Sequence, residues 1–102
     1  MMNKNILRQA QELQAKLAKA QEELADMVTE VTVGGGAIKV IVDGQQKVRS
    51  VKISPDAVNP EDIEMLEDLI LSAVNEAMEK SRELAASHLG SLTNGFKLPG
   101  IM

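Results

Sequence analysis

Apolar residues recur at Ile6, Ala10, Leu13, Leu17, Ala20, Leu24, Met27 and Val31, alternately four and three positions apart. That spacing holds one stripe on one side of an α-helix, and sustained over three heptads it is the pattern of helix packed on helix. From Asn3 to Asp26 the chain also lacks Gly and Pro and is rich in Ala, Gln, Leu, Glu and Lys, all good helix formers. The pattern predicts a helix of about 26 residues, roughly 40 Å long at 1.5 Å per residue. A compact domain of about 100 residues is about 35 Å or less across, so this helix should overhang its own domain. Part of the seam then needs a second chain, and a dimer is expected.

The period next changes from helical to alternating. Val31 and Val33 suggest a short strand. Ile38, Val40 and Val42 alternate with Lys39, Ile41 and Asp43 in a second, and Val48, Val51 and Ile53 mark a third that Ser54-Pro55 ends. Asp43-Gly44 opens a tight hairpin between the last two. Three strands joined by short links predict an antiparallel meander. Asn59 suits a helix N-cap, Pro60 the first helical position, and Glu61 and Asp62 the positive end of a helix dipole. Ile63, Leu66, Ile70, Ala73, Ala77 and Leu84, widened by Leu69 and Val74, form the buried stripe of this second helix. It should run to about His88 and stop before Gly90.

The tail GSLTNGFKLPGIM is interrupted by Gly and Pro and should not continue the helix. It is nevertheless apolar at Leu92, Phe96, Leu98, Ile101 and Met102, which fits docking on the domain or its dimer partner as well as it fits disorder. The expectation is one α+β domain over 1–102, with a folded body and arms over 1–89 and the apolar tail over 90–102.

Composition narrows the function. Apolar residues make up 44% of the 102, yet there is no Trp or Tyr and Phe96 is the sole aromatic. The core must be aliphatic, and base stacking on an aromatic platform is disfavoured. The chain has no cysteine, which removes disulfides, thiolate metal sites and thiol nucleophiles. No apolar stretch reaches the roughly 18 to 20 residues that span a bilayer, and the polar start is unlike a signal peptide. A soluble, cytoplasmic protein is expected. The net charge of −4 is unevenly spread. Residues 1–28 balance four bases against four acids, residues 29–55 hold four bases against two acids, and residues 56–102 hold nine acids against three bases. The first half can therefore meet a polyanion despite the acidic sum.

Candidate chemistry is sparse. The glycines of VGGGAIKVIV run into a strand and not a helix, so they lack the geometry of a dinucleotide fingerprint, and G-x-x-x-x-G-K-[ST] is absent. They read as a flexible or bulged hairpin connection. His88 is the only histidine and has no Cys or second His to join it; near a helix C-terminus it reads as a cap or a favourable cation. Glu61, Asp62, Glu64, Glu67 and Asp68 alternate with core positions, as on the solvated face of an amphipathic helix. No active site, cofactor or metal site is expected.

The bases of the first helix are more suggestive. At about 100° per residue, Lys4, Arg8, Lys16 and Lys19 share an arc of about 120° away from the Ile6–Leu24 seam. Lys4 and Arg8 also sit near the end whose dipole disfavours cations. Two readings stay open at this point: a phosphate-contacting face, or helix-stabilising pairs at Arg8–Glu12, Glu12–Lys16 and Lys19–Glu23.

The ordered segments QAQELQAKLAKAQEEL, GGGAIKVIVDG, VRSVKISPDAV, EDIEMLEDLILSAVNEAMEKS and a tail ending LPGIM resemble the YbaB/EbfC family of bacterial nucleoid-associated proteins over essentially the whole chain. The resemblance implies a tweezer-like homodimer in which a small sheet forms the body and long helices project as arms. It also implies binding of double-stranded DNA with relaxed sequence preference, and a role in nucleoid organisation and gene regulation. Lys4, Arg8, Lys16 and Lys19 are the first candidates for DNA contact, Lys80 and Arg82 the second, and Lys47, Arg49 and Lys52 the third. The dimer or helix seam would be Ile6, Ala10, Leu13, Leu17, Ala20 and Leu24. Neither a membrane nor a small-molecule substrate is expected as a partner. A dimeric protein–protein adaptor with weak or no DNA binding is the alternative.

Overall fold

A computed structural model describes residues 3–93. In chain order they form helix α1 (Lys4–Glu23), a short 3-10 turn (Leu24–Asp26), strands β1 (Val28–Val33), β2 (Ile38–Asp43) and β3 (Val48–Ile53), and helix α2 (Ile63–Thr93). The strands make one antiparallel sheet in the order β1-β2-β3, so the α+β layout of helix, meander and helix is as expected. Only 90–93 of the expected tail lies among the described residues, and its apolar positions Phe96, Leu98, Ile101 and Met102 fall outside them.

Local chemistry sets the element ends. Asn3 has extended backbone and its side chain accepts the Ile6 N–H at 2.8 Å, capping α1. The second helix begins later than the sequence suggests. Asn59 does accept a backbone N–H, from Glu61 at 3.0 Å, but within a turn, where its carbonyl also takes the Asp62 N–H at 2.9 Å. Asp62 then receives the Met65 N–H at 3.3 Å and caps the helix that starts at Ile63. The helix also ends later, continuing through Gly90 to Thr93. A single glycine costs a helix only about 1 kcal/mol, which packing against α1 can outweigh.

The core lies between α2 and one face of the sheet. Ile38, Val40 and Val42 alternate onto that face and are fully buried, with Val33, Val31 and Thr29 beside them in register on β1. Opposite them α2 presents Ala73, Ala77 and Ser81, spaced four apart and all fully buried. Small side chains there let the helix backbone lie close to the sheet. Leu66, Leu69, Ile70 and Met78 pack around this contact.

α2 lies over β1 and β2, so the helix-side residues of β3 remain open: Val51 is 45% and Ile53 40% exposed. Ile63, expected in the buried stripe, is 46% exposed. Leu69 already reaches Gly34 at the end of the sheet, and Ile63 lies about 9 Å further along the helix axis, past the strands.

The protomer is elongated. Its radius of gyration is 19.8 Å and its longest dimension 69 Å, against about 13 Å for the radius of a compact chain of this length. The overhang comes from α1. Residues 3–12 are exposed at every position, Leu13 and Leu17 are half-buried, and Ala20 and Leu24 are buried.

Candidate nucleic-acid interface

The root of the α1 arm is built around the β2–β3 hairpin. The Gly44 N–H donates to the carbonyls of Leu24 and Met27, both at 2.9 Å, tying the hairpin to the 3-10 turn. A Cβ on Gly44 would stand 2.7 Å from Leu24 Cδ2 and 3.0 Å from its carbonyl oxygen. Glycine is required here by close approach. The left-handed conformation in this hairpin falls instead on Gln46, with φ 63°. Its N–H donates to Ser81 Oγ at 2.9 Å, which holds it there.

Asp43 is the electrostatic centre of this junction. Its side chain is fully buried and accepts from the backbone N–H groups of Gln45 and Lys47 at 2.8 and 3.0 Å and from Arg49 Nε at 2.8 Å. Burial by itself would raise its pKa. The Lys47 and Gln45 hydrogen bonds, then the Arg49 hydrogen bond and charge, outweigh it and hold the carboxyl below its ordinary value. Arg49 also donates to the Ala25 carbonyl at 3.0 Å, and Gln45 Nε2 donates to the Gln21 carbonyl at 2.8 Å. Hairpin, α2 and the end of α1 are thus one polar knot that fixes where the arm leaves the body. The sequence reading missed Ser81, although it continues the Ala73–Ala77 spacing by another four residues.

The bases of α1 lie beyond this root. Lys4, Arg8, Lys16 and Lys19 are all exposed. Among the described residues no ion pair holds Lys4, Arg8 or Lys19. The Arg8–Glu12 and Lys19–Glu23 pairs that would explain them as helix chemistry are not formed. Glu23 instead meets His88 of α2 at 3.2 Å. His88 is therefore a link between the two helices inside α2, not a cap at its end. No acid stands in the first turn of α1 to offset Lys4.

The remaining candidates differ. Lys80 is exposed, and Arg82 is paired with Glu79 at 2.8 Å one turn away. Arg49 is taken up by Asp43. Lys47, in the β2–β3 connection, and Lys52, on β3, are exposed. The seam divides: Ala20 and Leu24 are spent inside the protomer, Leu13 and Leu17 are half-covered, and Ile6 and Ala10 project with the bare end of α1.

The glycines connect two antiparallel strands, with φ of 64°, 67° and 96° at Gly34, Gly35 and Gly36, so they form a strand-to-strand link and not a strand-to-helix loop. Among the described residues no cluster of three or more His, Asp or Glu could hold a metal ion, and no helix is long and apolar enough to cross a membrane.

Residues 1–96 match the model of the YbaB/EbfC DNA-binding family. A nucleoid-associated protein of Desulforamulus reducens is 46% identical over 98% of this chain and 94% of its own length. Another, of Pelotomaculum thermopropionicum, is 43% identical over 94% of this chain and 91% of its own. The fold is similar to a crystal structure of an uncharacterised protein from Helicobacter pylori, with a TM-score of 0.75 at 18% identity, covering 90% of this chain and 98% of that one.

Proposed function

Because the chain belongs to the YbaB/EbfC DNA-binding family, we propose that it is a nucleoid-associated protein that grips double-stranded DNA as a homodimer. Contacts to phosphates would supply most of the affinity, with effects on DNA conformation, nucleoid organisation and gene expression following from them. The observation that carries this reading is the bare basic end of α1, where Lys4 and Arg8 are exposed and no ion pair engages them. Lys16 and Lys19 extend the same arc, and Lys80 and Arg82 are secondary contacts. Backbone contacts of this kind position a protein without reading sequence. The acidic second half, chiefly the carboxylates of α2, is repelled from the duplex.

The dimer is supported by apolar surface that one protomer leaves open. Val51, Ile53, Val58, Ile63 and Met65 are each 40% or more exposed. A second copy covering the β3 side of the body would bury this patch, while Ile6, Ala10, Leu13 and Leu17 provide apolar surface along the arm.

Fluorescence anisotropy with a labelled duplex of about thirty base pairs, titrated over salt, tests the proposal. A dimer presenting Lys4, Arg8, Lys16 and Lys19 twice makes at most about eight phosphate contacts, so binding should weaken steeply as salt rises. Lys4→Glu with Arg8→Glu should abolish most of it. Absence of binding at low salt would discard the reading in favour of a dimeric adaptor that uses the apolar patch. Protein concentration is best taken from peptide-bond absorbance, as the chain has neither Trp nor Tyr.

A further inference from the structure

The sheet has a second face, turned away from α2, and its charges are arranged unfavourably for an isolated protein. Lys39 and Lys52 are direct register partners on β2 and β3, so their side chains stand side by side on this face. Like charges directly opposite each other destabilise a sheet. Thr32, exposed, is the partner of Lys39 on β1, which makes Thr32–Lys39–Lys52 a continuous polar row across all three strands. In the next row Ser50 stands opposite Ile41, and its hydroxyl oxygen is a buried side-chain oxygen with no hydrogen-bond partner.

Among the described residues, one acid pairs with this row. Glu30 is 3.8 Å from Lys39, with both side chains about half exposed, and such pairs contribute little. Asp43 shares the face but its charge is already met by Arg49, and no ion pair among the described residues holds Lys52.

We infer that this open sheet face, centred on Lys39 and Lys52 with Thr32 beside them, is a second phosphate-contacting surface for double-stranded DNA. The inference rests on the DNA-binding reading and adds to it a contact on the body, separate from the arms. Negative phosphates crossing the row relieve the Lys–Lys repulsion, and the two lysine stems can order around a backbone oxygen that Thr32 also reaches. From the chain geometry, Lys39 lies four strand residues from Asp43, and Lys4 lies twenty helix residues from Leu24, whose carbonyl meets Gly44. The two surfaces are therefore separated by roughly 40 Å, far enough to engage different stretches of DNA.

The test compares three forms of the full chain on the same labelled duplex over a range of salt: the natural sequence, Lys39→Gln with Lys52→Gln, and Lys4→Gln with Arg8→Gln. The sheet variant should bind on the order of tenfold more weakly near 0.1 M salt, and its log–log salt slope should fall by about two contacts per protomer. Its melting temperature by far-UV circular dichroism should stay equal or rise, because a repulsion has been removed. That excludes misfolding as the cause. If the sheet variant keeps the natural affinity and slope while the arm variant loses both, the sheet contact is wrong and DNA binding by the arms stands. If the natural sequence itself fails to bind at low salt, the DNA-binding reading falls, and the sheet contact with it.

Discussion

The Ser81 hydroxyl donates a 2.6 Å hydrogen bond to the carbonyl of Asp43, 38 residues earlier in the chain, and accepts the Gln46 N–H at 2.9 Å. One side chain on α2 thereby satisfies both backbone groups of the hairpin that anchors the α1 arm.

Ser81→Ala should accordingly destabilise the fold by about 1–3 kcal/mol, the cost of stranding buried polar groups. The 3.3 Å bond from Gln46 N–H to the Asp43 carbonyl keeps the loss from being larger. Urea unfolding at fixed protein concentration measures it, since dimerisation would couple stability to concentration.

Asp43→Asn should cost about 2–4 kcal/mol at neutral pH, because it removes the charge that Arg49 and two backbone N–H groups address. The sign of the pH effect follows from the lowered pKa. The folded state favours the ionised carboxylate, so its contribution is complete above the ordinary carboxyl value of about 3.9. It is lost as pH falls through the depressed value of the folded state. Unfolding curves taken from pH 7 downward should converge for the two proteins in acid. A constant gap at all pH values would contradict this account.

Gly44 and Gly35 should respond differently to substitution. At Gly44 the obstacle is Leu24, so Gly44→Ala should cost about 1–3 kcal/mol and the bulkier Gly44→Asn more. At Gly35 nothing lies within 4 Å of a new Cβ, and the obstacle is φ of 67°. Gly35→Ala should then cost about 1–2 kcal/mol, with Asn recovering part of it because Asn tolerates that region. Thermal melts of the four variants separate the two mechanisms.

Charging the open apolar patch tests the proposed dimer. Val51→Glu with Ile53→Glu should leave the protomer core intact, since both side chains are already 40% or more exposed, but convert the protein to a monomer. Sedimentation equilibrium reads this directly, and unchanged mass would remove the patch from the interface.

Much of this molecule is set by periodicities that act within one element. The three-four spacing from Ile6 to Leu24 specifies the long α1, and the alternation Ile38–Val40–Val42 specifies a strand with one buried face. The unbroken helix formers and Asn3 cap define where the first arm begins. The arc of Lys4, Arg8, Lys16 and Lys19 follows from the same helical repeat, so the leading basic candidates are legible before any fold is known.

Tertiary packing decided what those periodicities leave open. The α1 seam looks uniform in sequence, yet Ala20 and Leu24 are buried in the protomer while Ile6 projects, because the body ends partway along the helix. Arg49 and Lys52 are equivalent bases on one strand, but an irregularity in the β2–β3 pairing accompanies Arg49's contact with buried Asp43, whereas register sets Lys52 beside Lys39. Alternation assigns side chains to faces only while a strand is regular, and it says nothing about which residue stands opposite. The Asp43–Ser81 bond is of the same kind. It joins elements far apart in the chain, and only the close approach allowed by Ala73, Ala77 and Gly44 brings its two partners together.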